Sequence, residues 1–145
     1  MDITSFRGEY DFLSNFYEAT VDFGGLRYLN SEAAFQAQKC QSDEERYAFL
    51  YLPAAKAKRR GRQVELRPDW QAVKVGLMEE IVRAKFRQHP ELAARLLATD
   101  GCRLIEANTW NDTCWGVDAD TGQGENNLGR ILMKIRDELR NESQA

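Results

Sequence analysis

Val21-Asp22-Phe23-Gly24-Gly25-Leu26-Arg27-Tyr28 is the stretch on which the fold turns. It reads as two short strands around a Gly-Gly turn, because glycine tolerates the positive φ that a tight hairpin requires. The chain changes character directly afterwards. Asn30 or Ser31 can cap a helix running from Glu32 to about Cys40. Ser42 with Glu45 then forms an S-x-x-E capping box for a second helix, which must finish near Leu52, before Pro53.

Working outward, the rest of the chain is helical in pattern. Asp69 is a good N-cap for the longest stretch, in which Trp70, Val73, Leu77, Met78, Ile81 and Val82 recur at three- and four-residue intervals. That stripe is core. Pro90 opens a further helix through Leu96 and Leu97, closed by Gly101, and Leu104-Ile105 adds a short strand. Leu128, Ile131, Leu132, Ile135 and Leu139 mark an amphipathic C-terminal helix capped by Asn126 or Asn127. The expected fold class is α+β, a predominantly helical single domain over residues 1–145 with a small antiparallel β-element.

Composition supports this and narrows the function. At 145 residues, with 43% hydrophobic and 30% charged residues, the chain is that of an ordinary globular domain with one core. Met1-Asp2-Ile3-Thr4-Ser5 is no basic-then-apolar leader, and no window approaches the roughly 20 apolar residues of a membrane span, so a cytoplasmic location is expected. Cys40, Cys102 and Cys114 are an odd set without CxxC spacing, which offers neither a disulfide framework nor a zinc site. The single histidine, His89, precedes Pro90 and is expected to end a helix rather than to catalyse. A net charge of −3 argues against broad electrostatic capture of nucleic acid. Lys56, Lys58, Arg59, Arg60 and Arg62 nevertheless cluster, either facing a phosphate or forming the wet side of a helix.

Three constellations carry chemistry. Glu32, Phe35, Gln36 and Lys39 are spaced i, i+3, i+4 and i+7, which puts a carboxylate, an amide and an amine along one helix face over roughly 10 Å. Asp112-Thr113-Cys114-Trp115-Gly116 leads through Gly122 and Gly124 to Asn126-Asn127, a glycine-rich approach to a helix start that suits an anion. It is neither a P-loop, since Arg130-Ile131 replaces Lys-Ser/Thr, nor a calcium loop, since Gln123 and Gly129 stand where glycine and glutamate are needed. Phe12-Leu13-Ser14-Asn15-Phe16-Tyr17 mixes aromatics with an amide, as does a pocket that stacks a flat base; a buried strand with Asn15 in a turn is the other reading.

These runs, together with Arg60-Gly61-Arg62, Asp69-Trp70 and Gly124-x-Asn126-x-Leu128-Gly129-x-x-Leu132-Met133-x-x-Arg136, resemble a NADAR domain of the YbiA-like type over about residues 6 to 140. The resemblance implies an N-glycosidase that hydrolyses N-glycosidic bonds in early riboflavin-pathway intermediates or removes ADP-ribose attached to guanine in nucleic acid. It implies no cofactor and no metal, and a partner that is a small phosphorylated N-riboside or ADP-ribosylated guanine. Carried over by position, Glu32 and Lys39 are the reactive pair, Asp112 and Trp115 complete the site, and Asn15, Phe16, Gly116, Asn126 and Asn127 hold substrate. Arg7 and one of Arg60 or Arg62 are expected to grip the phosphate, together with the start of the last helix. One departure stands out: the family commonly has histidine after the glutamate, and this chain has Ala33. That favours, as the alternative, a non-catalytic module that binds ADP-ribose or a nucleotide.

Overall fold

The computed structural model describes residues 1–144. Along the chain the elements are β1 (Asp2–Ile3), a 3-10 helix (Gly8–Leu13), β2 (Val21–Phe23), β3 (Leu26–Tyr28), α1 (Ser31–Ala37), α2 (Asp43–Arg46), a second 3-10 helix (Tyr47–Phe49), α3 (Ala54–Gly61), α4 (Trp70–Gln88), α5 (Pro90–Leu97), β4 (Arg103–Leu104), β5 (Ala107–Asn108), β6 (Val117–Asp118) and α6 (Asn127–Ser143). The α+β class, mostly helical, agrees with the expectation from sequence. Contacts group the chain into two units, one of Met1–Ser14 with the chain from Pro90 on, the other Asn15–His89.

In the Asn15–His89 unit, β2 and β3 pair antiparallel as the expected hairpin, Val21 opposite Tyr28 and Phe23 opposite Leu26, around Gly24 and Gly25, both at positive φ. Every residue of α1 is buried. Ala33, Ala34 and Ala37 are small enough for α3, α4 and the hairpin to pack closely around that helix. Ala33 is fully enclosed. Asn30 caps α1 through Oδ1, which accepts from Ala33 N at 2.7 Å, and its Nδ2 donates to Leu52 O at 3.1 Å. Asn30→Ala is therefore expected to lower stability by about 2–3 kcal/mol, the sum of a lost cap and a carbonyl left unpaired. Urea unfolding checks this, and a loss under about 0.5 kcal/mol would contradict it.

Two readings need correction here. The first helix stops at Ala37 rather than near Cys40, because Gln38, Lys39 and Cys40 donate to carbonyls three residues back and Gln38 Nε2 folds onto Ala34 O. Asp69 precedes α4 but does not cap it with its side chain; its carboxylate is taken by Arg67 at 2.6 and 3.1 Å. The Ser42 cap does form, with Ser42 Oγ accepting from Glu45 N at 3.3 Å and donating to Glu45 Oε1 at 3.1 Å.

In the other unit, α6 packs on α5 and β4 through Leu128, Ile131, Leu132 and Ile135. Buried Arg136 donates from one nitrogen to Thr99 O, Thr99 Oγ1 and Cys102 O, fastening the turn after α5. The expected strand near Leu104 is present, but β1 pairs with β4, and β5 with β6, in parallel. The sequence predicted only antiparallel pairing, since two-residue strands, whether 101 positions apart as Asp2 and Arg103 or 10 apart as Ala107 and Val117, are too short to leave a period. Phe12 and Leu13 end the first 3-10 helix and are buried, so this part of the aromatic run is not a strand.

Candidate active site

Within the Asn15–His89 unit, the start of α1 is fixed by Asn15. Its backbone carbonyl accepts from Glu32 N at 3.1 Å, its Oδ1 accepts from Ser31 Oγ at 3.0 Å, and its Nδ2 donates to Met78 Sδ at 3.3 Å. The amide expected to hold substrate is thus engaged on both sides in setting Glu32. Glu32 is 7% exposed, and Gln36 Nε2, one turn along, approaches its Oε2 at 3.5 Å. Phe16 is exposed, with Lys58 Nζ at 5.8 Å from its ring centre.

Lys39 lies in the turn after α1, half-buried, with Nζ donating to Gly61 O at 3.3 Å and standing 5.9 Å from the centre of the Trp70 ring. Burial holds its ammonium below the ordinary lysine value of 10.5; the nearby Glu32 carboxylate opposes this, and the Arg62 and Lys74 charges reinforce it. Glu32 and Lys39 are therefore close enough to feel each other's charge. A lysine partly stripped of water, with a depressed proton affinity, keeps a larger neutral fraction, and the neutral amine is the nucleophile.

Helical spacing places Trp70 in the core stripe, and it is buried, tilted at 49° against Phe35 at 5.1 Å. It also forms part of the wall beside Lys39, a role that helical periodicity cannot reveal. The signal for it is the Asp69-Trp70 pair, whose carboxylate is drawn to Arg67 while the ring turns inward.

In the other unit, Asp112 Oδ1 accepts from Cys114 N at 3.1 Å and Trp115 N at 2.9 Å, so one oxygen of this carboxylate shapes the loop that carries Trp115. Buried Asn108 holds the same loop from below: Oδ1 accepts from Trp110 N and Asp112 N, and Nδ2 donates to Asp112 O at 2.8 Å. Gly116 is buried where a Cβ would strike Glu106 O and would come within 2.8 Å of Asn108 Nδ2, so its glycine serves close packing. Arg7 is exposed, its guanidinium carbon 5.9 Å from the Trp110 ring centre.

The expected anion cradle at the start of α6 does not form. The amides of Asn126, Asn127 and Leu128 donate to Gly116 O, Cys114 O and Trp115 O at 3.0–3.1 Å. Asn126, at φ 52°, spends its side chain between Glu106 N and Leu104 O. Asn127 Nδ2 approaches Cys114 Sγ at 3.7 Å. Asp118 closes its own turn on Asp120 N and Thr121 N, which hold its carboxyl below the usual range, in keeping with a plain loop carboxylate. Among the described residues no three His, Cys, Asp or Glu gather to hold a metal, and no helix is long and apolar enough to cross a membrane.

A model of the NADAR domain matches residues 5–140. The chain belongs to the NADAR family. Among NADAR relatives, the N-glycosidase YbiA of Escherichia coli (strain K12) is 40% identical over 134 residues, which is 90% of this chain and 82% of its own length. A riboflavin biosynthesis protein of Vibrio vulnificus is 40% identical over 133 residues, 90% of this chain but 36% of that protein. The NMR structure of the E. coli protein YbiA superposes with a TM-score of 0.85 at 37% identity, covering 99% of this NADAR chain and 86% of that one.

Proposed function

We propose that this chain is an N-glycosidase that hydrolyses the C–N bond of a small phosphate-bearing riboside, with Lys39 as nucleophile and Glu32 as acid/base. The observation that carries it is the Glu32–Lys39 pair: a buried carboxylate beside a half-buried amine whose proton affinity is depressed, in a family with relatives named N-glycosidases. Breaking a ribosyl C–N bond builds positive charge at the anomeric carbon and leaves a nitrogen in need of a proton. The Lys39 ammonium first passes a proton to the Glu32 carboxylate; the neutral Nζ then forms a bond to the anomeric carbon as the bond to the base nitrogen breaks, and Glu32 gives that proton to the leaving nitrogen. As the ring C–O bond breaks, a proton on the attached nitrogen moves to the ring oxygen, which leaves a protonated imine and an opened sugar. Water, deprotonated by the Glu32 carboxylate, then hydrolyses the imine and returns the free amine and the sugar phosphate.

A free riboside is favoured over ADP-ribosylated guanine in nucleic acid by two facts. The Vibrio relative bears the name of a riboflavin biosynthesis protein, and a net charge of −3 gives little general attraction for a polyanion. Arg62 is assigned to the phosphate because its charge is already felt at Lys39, and Arg7 and Arg60 are the further candidates. Phe16 offers an exposed ring face for the base, and Trp115, Asn127 and Gly116 are assigned to substrate binding. Asp112 is assigned to the reaction through its hold on the Trp115 loop. Asn15 and Asn126 act by bracing the backbone they bond.

Incubation with a phosphorylated riboside is expected to release ribose 5-phosphate, and an ADP-ribosylated oligonucleotide is expected to stay intact. Removing the phosphate should lower kcat/KM roughly 10- to 100-fold, the worth of a charge-assisted grip. Release of ADP-ribose alone would overturn the substrate choice, and equal cleavage without phosphate would overturn the grip.

A further inference from the structure

The Arg60-Gly61-Arg62 motif contains a glycine that its backbone does not require. Gly61 lies at the end of α3 without a positive φ, so any L-residue suits its conformation, and alanine would favour the helix. What forbids a side chain is space. A Cβ at this position would collide with Gln36 Oε1 and lie 2.7 Å from Gln36 Cδ. Gln36 is 6% exposed, so its amide has little room to swing aside. Among the described residues its buried Oε1 has no hydrogen-bond partner, an arrangement kept at a cost to stability, while its Nε2 faces Glu32 Oε2. The carbonyl of the same glycine accepts from Lys39 Nζ.

We propose that Gly61 is a positioning residue for the reaction, seating through its bare Cα the Gln36 amide that holds Glu32, and through its carbonyl the Lys39 amine. This rests on the reading of Glu32 and Lys39 as the reactive pair. One backbone position then sets both groups at once, and a displacement of about 1 Å at reacting atoms is enough to cost on the order of 10²-fold in rate.

Gly61→Ala is expected to lower kcat roughly 10- to 100-fold on a phosphorylated riboside, with KM within about threefold, because substrate contacts are untouched while the reacting groups shift. Gln36→Ala alone should also lower kcat, by removing the donor to Glu32. The decisive comparison is Gln36→Ala/Gly61→Ala: with the amide gone the new methyl has room, so the double variant should be no slower than Gln36→Ala alone. This comparison stands even if Gly61→Ala by itself folds poorly. A normal kcat in Gly61→Ala, or losses in the two variants that simply multiply, would overturn the proposal. Parallel assays of Lys39→Met and Glu32→Gln separate its failure from that of the parent reading. If those two lose turnover while Gly61→Ala does not, only the role of Gly61 falls; if they retain turnover, the reactive pair falls and this proposal with it.

Discussion

Lys39→Met is expected to abolish turnover, and with it the covalent sugar adduct that a borohydride reductant should trap on Lys39 in the wild-type protein during reaction. An imine between the lysine and the opened sugar is reducible to a stable amine, whereas an oxocarbenium flanked only by carboxylates leaves nothing on lysine. Methionine keeps the length of the side chain and removes the nucleophile. The variant should also unfold no earlier than the wild type. Because burial lowers the lysine's proton affinity in the folded state, the unfolded chain binds the extra proton more readily, so this group destabilises the fold at neutral pH. The penalty shrinks as pH rises through the depressed value, below 10.5, and an uncharged methionine side chain never incurs it. Wild-type turnover should fall as pH rises through that window, because the pair then loses the proton that Glu32 delivers to the leaving nitrogen. Near-normal rates in Lys39→Met would dismiss the covalent route and leave Glu32 activating water as the mechanism.

Glu32→Gln should slow the reaction by roughly 10²–10⁴-fold, the usual yield of one acid/base group. The substitution is close to isosteric and keeps an oxygen for the Gln36 amide, so the buried end of α1 has no reason to rearrange. Circular dichroism and the unfolding midpoint should stay near wild type, which separates a chemical loss from a structural one. A loss of less than tenfold would show that Glu32 serves shape and charge balance rather than proton transfer.

How far such a site is legible in the sequence depends on how local its causes are. The hairpin at Val21–Phe23 and Leu26–Tyr28, the Asn30 cap and the Ser42 side-chain cap all follow from residues within a few positions, and all are present. The i to i+7 spacing of Glu32 and Lys39 anticipates their proximity, although a tight turn rather than a continuing helix delivers Lys39. Asp69 and Asn126 are residue types that favour caps, but other partners claim their side chains, nearby Arg67 for the one and the distant Leu104–Glu106 backbone for the other. The same competition closes the anion cradle, whose amides are taken by the carbonyls of residues 114–116. The parallel pairs and the place of Trp70 beside Lys39 arise from contacts between segments that share no local pattern, so periodicity has no purchase on them.

The hairpin carries one consequence for how the protein behaves in a crowded solution. Strands with open edges invite other chains to pair with them, and a two-stranded ribbon has a free edge on either side. At β2 the outward groups are already occupied by the end of α4: Gln88 accepts from Asp22 N at 2.8 Å and donates to Asp22 O at 2.9 Å, and His89 Nε2 meets Thr20 O at 2.7 Å. The Gln88 side-chain amide thus mimics one residue of a third strand and stops there, offering no further backbone to extend it. The lone histidine of the chain therefore helps to guard this edge against adding strands from a neighbour.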